Sequence, residues 1–256
     1  MPWDPSQYLK FGGHRLWPAL DLLGRIEVRE PGEVYDLGAG SGNVTRLLRE
    51  RWPGARVTGV DDSPEMLAKA RAVEPSITWE LRDLATWSPP RPADVIYSNA
   101  ALHWVDDHRR RFPALFDVLA PGGTLAVQMP RNFSAPSHAL IADAARSGPW
   151  RATLEPLLRA TPVADPGFYH DLLAPRASSL DIWETEYLHV LDGADPVKEW
   201  VKGTWLRPLL DALDGGQRES FERRYAELLR AAYPPRADGR TLFPFRRIFL
   251  VATARR

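Results

Sequence analysis

Val34-Tyr35-Asp36-Leu37-Gly38-Ala39-Gly40-Ser41-Gly42-Asn43-Val44-Thr45 reads as a buried strand, a glycine-rich turn and the start of a helix. Arg56-Val57-Thr58-Gly59-Val60-Asp61 follows as a second strand that ends in an acid. A strand running into closely spaced glycines brings bare backbone up to a ligand. An acid at the tip of the next strand can accept hydrogen bonds from ribose hydroxyls. Together they predict a nucleoside cofactor held at the carboxyl ends of parallel strands.

Details of the turn narrow the cofactor. A dinucleotide turn wants glycine at its first, third and sixth positions. Here Gly38 and Gly40 fit, but the sixth position is Asn43 and the extra glycine is Gly42. Asp36, two residues before the first glycine, is awkward beside a pyrophosphate and suits a cofactor with a cationic amino acid end. The D-L-G-x-G-x-G form resembles motif I of class I S-adenosylmethionine (SAM) methyltransferases, with Asp61 following Gly42 by 19 residues. The resemblance implies that the glycine loop lies against the methionine and ribose part of SAM.

The 256 residues suffice for one α/β domain, or one domain with a small insert. Hydrophobic content of 44% and charged content of 26% are those of a globular chain. A net charge of zero gives no footprint for nucleic acid or an acidic membrane. The absence of cysteine removes disulfides, thiolate catalysis and cysteine-held zinc. Met1-Pro2-Trp3-Asp4 does not open a signal peptide, and no apolar run approaches the roughly 20 residues that cross a bilayer. The expectation is a cytoplasmic protein, with monomer and homodimer both open.

Strands are expected at 34–37, 57–60, 77–81, 93–98 and 124–128, alternating with helices over 43–52, from Ser63-Pro64-Glu65, and over 108–119. Such alternation means βαβ units, a parallel sheet and a doubly wound topology. After Met129 the rhythm changes: helices, a strand over 180–190, more helices over 195–235 and a last strand over 247–252. The expected fold is α/β and Rossmann-like: a seven-stranded, mainly parallel sheet with an antiparallel last strand, helices on both faces and a helical cap. One domain spans 1–256. Residues 1–30 form a helical lid, with Tyr8, Phe11, His14 and Arg15 over the cofactor. Residues 31–130 form the cofactor core, 131–243 the substrate cap with one strand, and 244–256 the final strand.

Asp61 is expected to take both ribose hydroxyls, since a carboxylate accepts from two donors at once. Asp62 and Ser63 then cap the next helix. Met66 either packs on the adenine or joins the core. Asp83 and Leu84 match the family's adenine-reading position, the acid accepting from the amino group. Asn99 ends the fourth strand, where this class faces its substrate, but no proline pair follows it, which disfavours amino-methylation of nucleic acid. The expected cofactor set is Asp36, Gly38, Gly40, Asp61, Asp62, Met66, Asp83, Leu84 and Asn99, with no metal.

The resemblance goes further than the class. Trp3-Asp4-Pro5-Ser6-Gln7-Tyr8-Leu9-Lys10-Phe11, Ser98-Asn99-Ala100-Ala101-Leu102-His103-Trp104, Ala126-Val127-Gln128-Met129-Pro130, Asp181-Ile182-Trp183-Glu184-Thr185 and Phe243-Pro244-Phe245-Arg246-Arg247 are all similar to trans-aconitate methyltransferases. The similarity covers nearly the whole chain. It implies methyl-ester formation on trans-aconitate; another small carboxylic acid or a secondary metabolite remains the alternative. Some members carry Gln at the place of His103, so a histidine base is not obligatory. A carboxylate, with its pKa at about 4, arrives deprotonated and needs no base. Holding a tricarboxylate needs cations, and the arginine fork fits best. The expected substrate set is His103, Trp104, Tyr169, His189, Arg207 and Arg247. A NAD-dependent oxidoreductase is the rival class, disfavoured by Asn43 and by the lack of an evident hydride-transfer site.

Overall fold

The computed structural model describes residues 12–255. In chain order the strands are β1 (Glu33–Leu37), β2 (Arg56–Asp61), β3 (Thr78–Leu81), β4 (Ala93–Asn99), β5 (Leu119–Pro130), β6 (Ala177–Leu191) and β7 (Thr241–Ala254). The helices are α1 (Gly12–Gly24), α2 (Asn43–Arg51), α3 (Pro64–Val73), α4 (His108–Asp117), α5 (Pro136–Arg146), α6 (Arg151–Leu154), α7 (Pro166–Leu173), α8 (Pro196–Lys202), α9 (Arg207–Asp211) and α10 (Gly215–Ala232). Short 3₁₀ turns cover Leu102–Trp104 and Glu155–Leu157. The lid side chains named from the sequence, Tyr8, Phe11, His14 and Arg15, lie outside this description.

One seven-stranded sheet runs in the order β3-β2-β1-β4-β5-β7-β6. β1 pairs parallel with β2 and with β4, β2 with β3, and β4 with β5. β7 lies antiparallel to β5, with Gln128 opposite Phe249 and Pro130 opposite Arg247. This is the doubly wound sheet expected from the sequence. The chain steps outward from β1 in one direction, then returns to β4 on its other side. That reversal opens a crevice at the carboxyl ends of β1 and β4, where ligands of open α/β sheets bind. The last strand is longer than expected: β7 begins at Thr241, well ahead of the 247–252 run that reads as strand.

The chain divides into two compact units. One holds residues 15–130, 162–185 and the end of the chain from Arg247; the other holds 131–161 and 186–246. In the first, the four buried residues Val34–Leu37 explain why β1 reads as a nearly unbroken apolar run: it is covered on both faces. α3 begins as its sequence dictates. Ser63 accepts from the Met66 amide at 3.3 Å, and Pro64 takes the first helical position. Leu67, Ala70, Ile77 and Trp79 pack with Ala39 beneath the glycine turn.

The second unit is helical, built on a core that includes Trp150, Leu154, Trp200, Phe221, Tyr225 and Phe243. The Tyr225 hydroxyl donates to the Ser137 carbonyl, and the Ser137 amide donates to the Tyr233 hydroxyl at 3.1 Å. These bonds tie α5 to α10 and to the residue that ends it.

Glycine is required where the turn meets β4. Gly38 sits at φ +80°, and a Cβ there would stand 2.0 Å from the Ala101 Cβ. Gly40, at φ +56°, has nothing among the described residues within 4 Å of such an atom. Gly38→Ala should therefore lower stability by about 1–3 kcal/mol through overpacking and backbone strain. Gly40→Ala should cost only the backbone strain, about 1–2 kcal/mol. Urea denaturation midpoints of the two variants check this order.

Candidate active site

The turn after β1 is held in place by the tip of β2. The Asp61 carboxylate accepts from the Gly40 amide at 2.8 Å through one oxygen and from the Ser63 amide at 2.9 Å through the other. The Gly38 and Ala39 amides donate to the Val60 carbonyl at 2.8 and 3.0 Å. Burial raises the Asp61 pKa, and the backbone donors pull against that rise. One acid thus links the glycine turn to the start of α3, with lone pairs left on both oxygens for further donors.

Asp36, on β1, is buried, and the Thr45 hydroxyl donates to it at 2.6 Å from α2. Burial pushes its carboxyl up to about 7; the Thr45 hydrogen bond opposes the rise and the Asp61 charge adds to it. A carboxyl this poorly solvated is ready to ionise against an incoming cation. Gly42, at φ +84°, begins α2 with no side-chain cap; a Cβ there would stand 2.7 Å from Trp79.

Around the turn lie the other residues named from the sequence. Asp62 is exposed and Met66 is buried in α3. After β3, Asp83 is exposed and accepts from the Ala85 amide at 2.8 Å, closing a tight turn. Leu84 is buried, with its Cδ1 close to Gly38. β4 ends at Asn99, whose buried Oδ1 meets no hydrogen-bond partner among the described residues. The next residue, Ala100, is held at φ +54° and its amide donates to the Gln128 carbonyl at 2.9 Å. A left-handed alanine of this kind is strained, and such strain gathers at functional sites. It turns the chain into the 3₁₀ segment that carries His103 (buried) and Trp104 (42% exposed), their rings 4.8 Å apart.

Period-two alternation sorts the strand residues. Asp36 is the register partner of Tyr97, and Asn99 that of Gln128. Arg247 lies two residues from Phe249, the partner of Gln128. Asp36, Tyr97, Asn99, Gln128 and Arg247 therefore share one face of the sheet. Arg247 is 5% exposed, and its Nη1 stands 3.5 Å from Gln128 Oε1.

Three expected substrate residues have packing or polar partners of their own. Tyr169, in α7, is fully buried; its hydroxyl lies 2.8 Å from His108 Nδ1 and accepts from the Ala164 amide at 3.2 Å. Its ring lies 4.9 Å from that of Phe112 of α4, tilted by 50°, so the structure gives it a place in the packing of α4 on α7. His108 in turn holds the Leu102 carbonyl at 2.9 Å, and burial keeps its imidazole pKa low. His189 is fully buried in the other unit, stacked on Trp200 at 4.6 Å and flanked by Phe243 and Phe245. Arg207, also in that unit, directs its Nε at both oxygens of Asp211 at 3.1 Å, one helical turn on.

Gln128 and Thr45 were not singled out by the sequence reading. A polar residue at an inward position of a buried strand was the available signal for Gln128. Among the described residues no group of three His, Cys, Asp or Glu side chains is placed to hold a metal ion, and no helix is long and apolar enough to cross a membrane. A cavity of about 650 Å³, lined by Glu27, Val28, Arg29, Arg51 and Trp52, opens among residues that precede β1 and β2. Arg51 there donates to the Leu23 and Ile26 carbonyls at the end of α1.

The sheet order, the glycine turn and the acid at the tip of β2 define a class I methyltransferase. A methyltransferase-domain family model matches residues 34–123. The chain belongs to the trans-aconitate 2-methyltransferase family. It is 48% identical over 250 residues to the trans-aconitate 2-methyltransferase of Azoarcus sp. (strain BH72), covering 98% of both chains. It is 50% identical over 259 residues to that of Streptomyces avermitilis, covering 98% of this chain and 96% of the relative. Solved structures share the fold at low identity. The YcgJ protein of Bacillus subtilis superposes with a TM-score of 0.59 at 15% identity, over 94% of this chain and 99% of its own. The Haemonchus contortus phosphoethanolamine N-methyltransferase 2 in complex with S-adenosyl-L-methionine does so with a TM-score of 0.55 at 16% identity, over 93% of this chain and 52% of its own.

Asp36 makes stability depend on pH. In the unfolded chain its carboxyl titrates near 4, in the folded ligand-free protein at about 7. Between these values the folded state keeps a proton that the unfolded state has lost. The Asp36 contribution therefore falls as pH rises from about 4 to about 7 and stays low above. Asp36→Asn should flatten this part of the curve, and denaturant titrations at pH 5 and pH 8 on both proteins measure it.

Proposed function

We propose that this chain transfers the methyl group of SAM to a carboxylate of trans-aconitate, giving a monomethyl ester and S-adenosylhomocysteine. The observation that carries the reading is the row of Asp36, Asn99, Gln128 and Arg247 on one sheet face beside the glycine turn, with an anion site at one end and a cation site at the other. The family membership supplies the acid.

The residues fit the cofactor. The space over Gly40 is open to a ligand, and the buried Asp36 carboxyl suits an ammonium. Asp61 is already oriented by two backbone donors to accept from ribose hydroxyls. Asp62 and Met66 flank it, while Asp83 and Leu84 stand where an adenine amino group and ring would be read. Asn99 Oδ1, an acceptor with no partner among the described residues, stands at the end of β4. Arg247 would bind a carboxylate of the substrate, in a buried place where an ion pair is screened little. His103 and Trp104 would form the wall near the reacting oxygen, with Tyr169, His189 and Arg207 acting through packing and local ion pairs.

When bound, SAM supplies a methyl group on a sulfonium, a good leaving group. A carboxylate oxygen attacks that methyl carbon as its bond to sulfur breaks, so no proton has to be removed. The chain's work is to align the oxygen, to exclude water and to hold the anion by its remaining carboxylates. Neither His103 nor His108, whose imidazole is buried against a carbonyl and a tyrosine, needs to serve as a base. Another small polycarboxylate is the alternative acid, since an arginine reads carboxylate before it reads carbon skeleton.

Release of S-adenosylhomocysteine in mixtures of SAM with trans-aconitate, cis-aconitate or citrate tests the reading. Turnover should be strong with trans-aconitate and at least about tenfold weaker in kcat/KM with the others, as expected for a misplaced carboxylate. Arg247→Ala should raise the KM for trans-aconitate by about ten- to a hundredfold, the loss of one charge-assisted hydrogen-bond pair.

A further inference from the structure

Gln128 is fully buried in β5. Its Oε1 faces Arg247 Nη1 at 3.5 Å, and its Nε2 meets no hydrogen-bond partner among the described residues. Asn99 Oδ1, on the neighbouring strand in register, is buried and unpartnered too. A buried donor or acceptor left without a partner is costly, so a native protein rarely keeps one without a use. Two such atoms stand side by side on the face that carries Arg247, at the carboxyl ends of β4 and β5.

The chemistry of Arg247 and Gln128 is complementary to a carboxylate. Arg247 brings a positive fork. Gln128 is electrically neutral, so it can steady the guanidinium through Oε1 without cancelling its charge. A glutamate in its place would pair with Arg247 and occupy the fork. An apolar residue would leave the guanidinium with no side chain to orient it from β5. An amide that accepts from a cation through its oxygen keeps its NH₂ for a different partner, an acceptor. That NH₂ is the second donor a carboxylate needs.

We propose that Gln128 determines the anion specificity of the substrate site: Oε1 positions Arg247, and Nε2 donates to an oxygen of the carboxylate that Arg247 binds. The proposal rests on the reading that the substrate is a polycarboxylic acid, and it assigns which residues beyond Arg247 read it. Gln128 does not touch the methyl group or the sulfur. It fixes where the non-reacting carboxylate sits, and thereby which oxygen reaches the methyl.

Two substitutions separate this role from packing. Gln128→Glu keeps the size and shape of the side chain but adds a charge. Gln128→Met keeps the length and removes both hydrogen bonds. A packing role makes Glu and Met similar in effect, or makes Glu the milder where shape decides. The proposed role makes Glu the worse by far. KM and kcat for trans-aconitate are measured on both variants, with calorimetric binding of S-adenosylhomocysteine and thermal unfolding as controls. Gln128→Met should raise KM about tenfold by loss of the two bonds. Gln128→Glu should raise it roughly a hundredfold, since a like charge against the substrate anion costs several kcal/mol. S-adenosylhomocysteine affinity should stay within about threefold in both, because the two sites are read by different residues. If Gln128→Glu does not fold, the KM of Gln128→Met and its unchanged S-adenosylhomocysteine affinity decide the matter. Turnover by both variants with KM within about threefold of the parent would overturn the proposal and leave the acid substrate standing. A parent protein that binds S-adenosylhomocysteine but does not methylate trans-aconitate would overturn the acid reading, and this proposal with it.

Discussion

The Asp61 carboxylate is the constraint on which the site depends. It spans from the Gly40 amide to the Ser63 amide and so joins the turn after β1 to the helix after β2. Without that bridge the middle of the turn, at Gly40, would lose its side-chain anchor, and glycine gives freedom rather than order. The packing below reinforces it. Trp79 fills the space that side chains at Gly42 and Gly59 would take, so the turn rests on an indole and stays thin. A thin, pinned turn leaves room above it at the carboxyl ends of the strands, the place where open α/β sheets bind ligands.

The sheet then decides which side chains share that room. β1 and β4 are neighbours in space although about sixty residues separate Asp36 from Tyr97, its register partner. Alternation along each strand puts Asp36, Asn99, Gln128 and Arg247 on a single face, and puts Tyr35 and Ser98 on the other. Where β7 begins to pair with β5, the antiparallel register sets Arg247 opposite Pro130, at the end of β5. A parallel last strand of the same sequence would carry that arginine to the opposite edge. The strand reversal is thus what allows one sheet edge to hold both the Asp36 acid and the Arg247 cation. The strained Ala100 and the His108–Tyr169 pair hold the segment after β4 in place around them.

What could be read in advance was local. The glycine turn, the acid ending β2, the Ser63-Pro64 helix start and the rhythm of strands and helices are all written within a few residues of each other, and each appears in the structure. Residues that act across the chain were harder. Gln128 and Arg247 are 119 positions apart, and their meeting depends on an antiparallel register that no short pattern encodes. His189 and Tyr169 carry ligand-like groups, but strand alternation and helix packing enclose them among aromatic rings. The Arg207 ion pair has a local signal: Asp211 stands four residues on, the spacing of a helical pair. Asp83 was ambiguous for a similar reason, because the same acid that reads an adenine can close its own turn.

The central claim is that the pinned turn and its two acids form the SAM site. Calorimetric titration of SAM into the parent protein and into Asp61→Ala tests it most directly, with circular dichroism confirming that the variant is folded. The account requires SAM binding by the parent and at least about a thirtyfold loss in the variant, the value of 2 kcal/mol for lost charge-assisted bonds. Equal affinity in the two folded proteins would contradict it and move the cofactor away from the ends of β1 and β2.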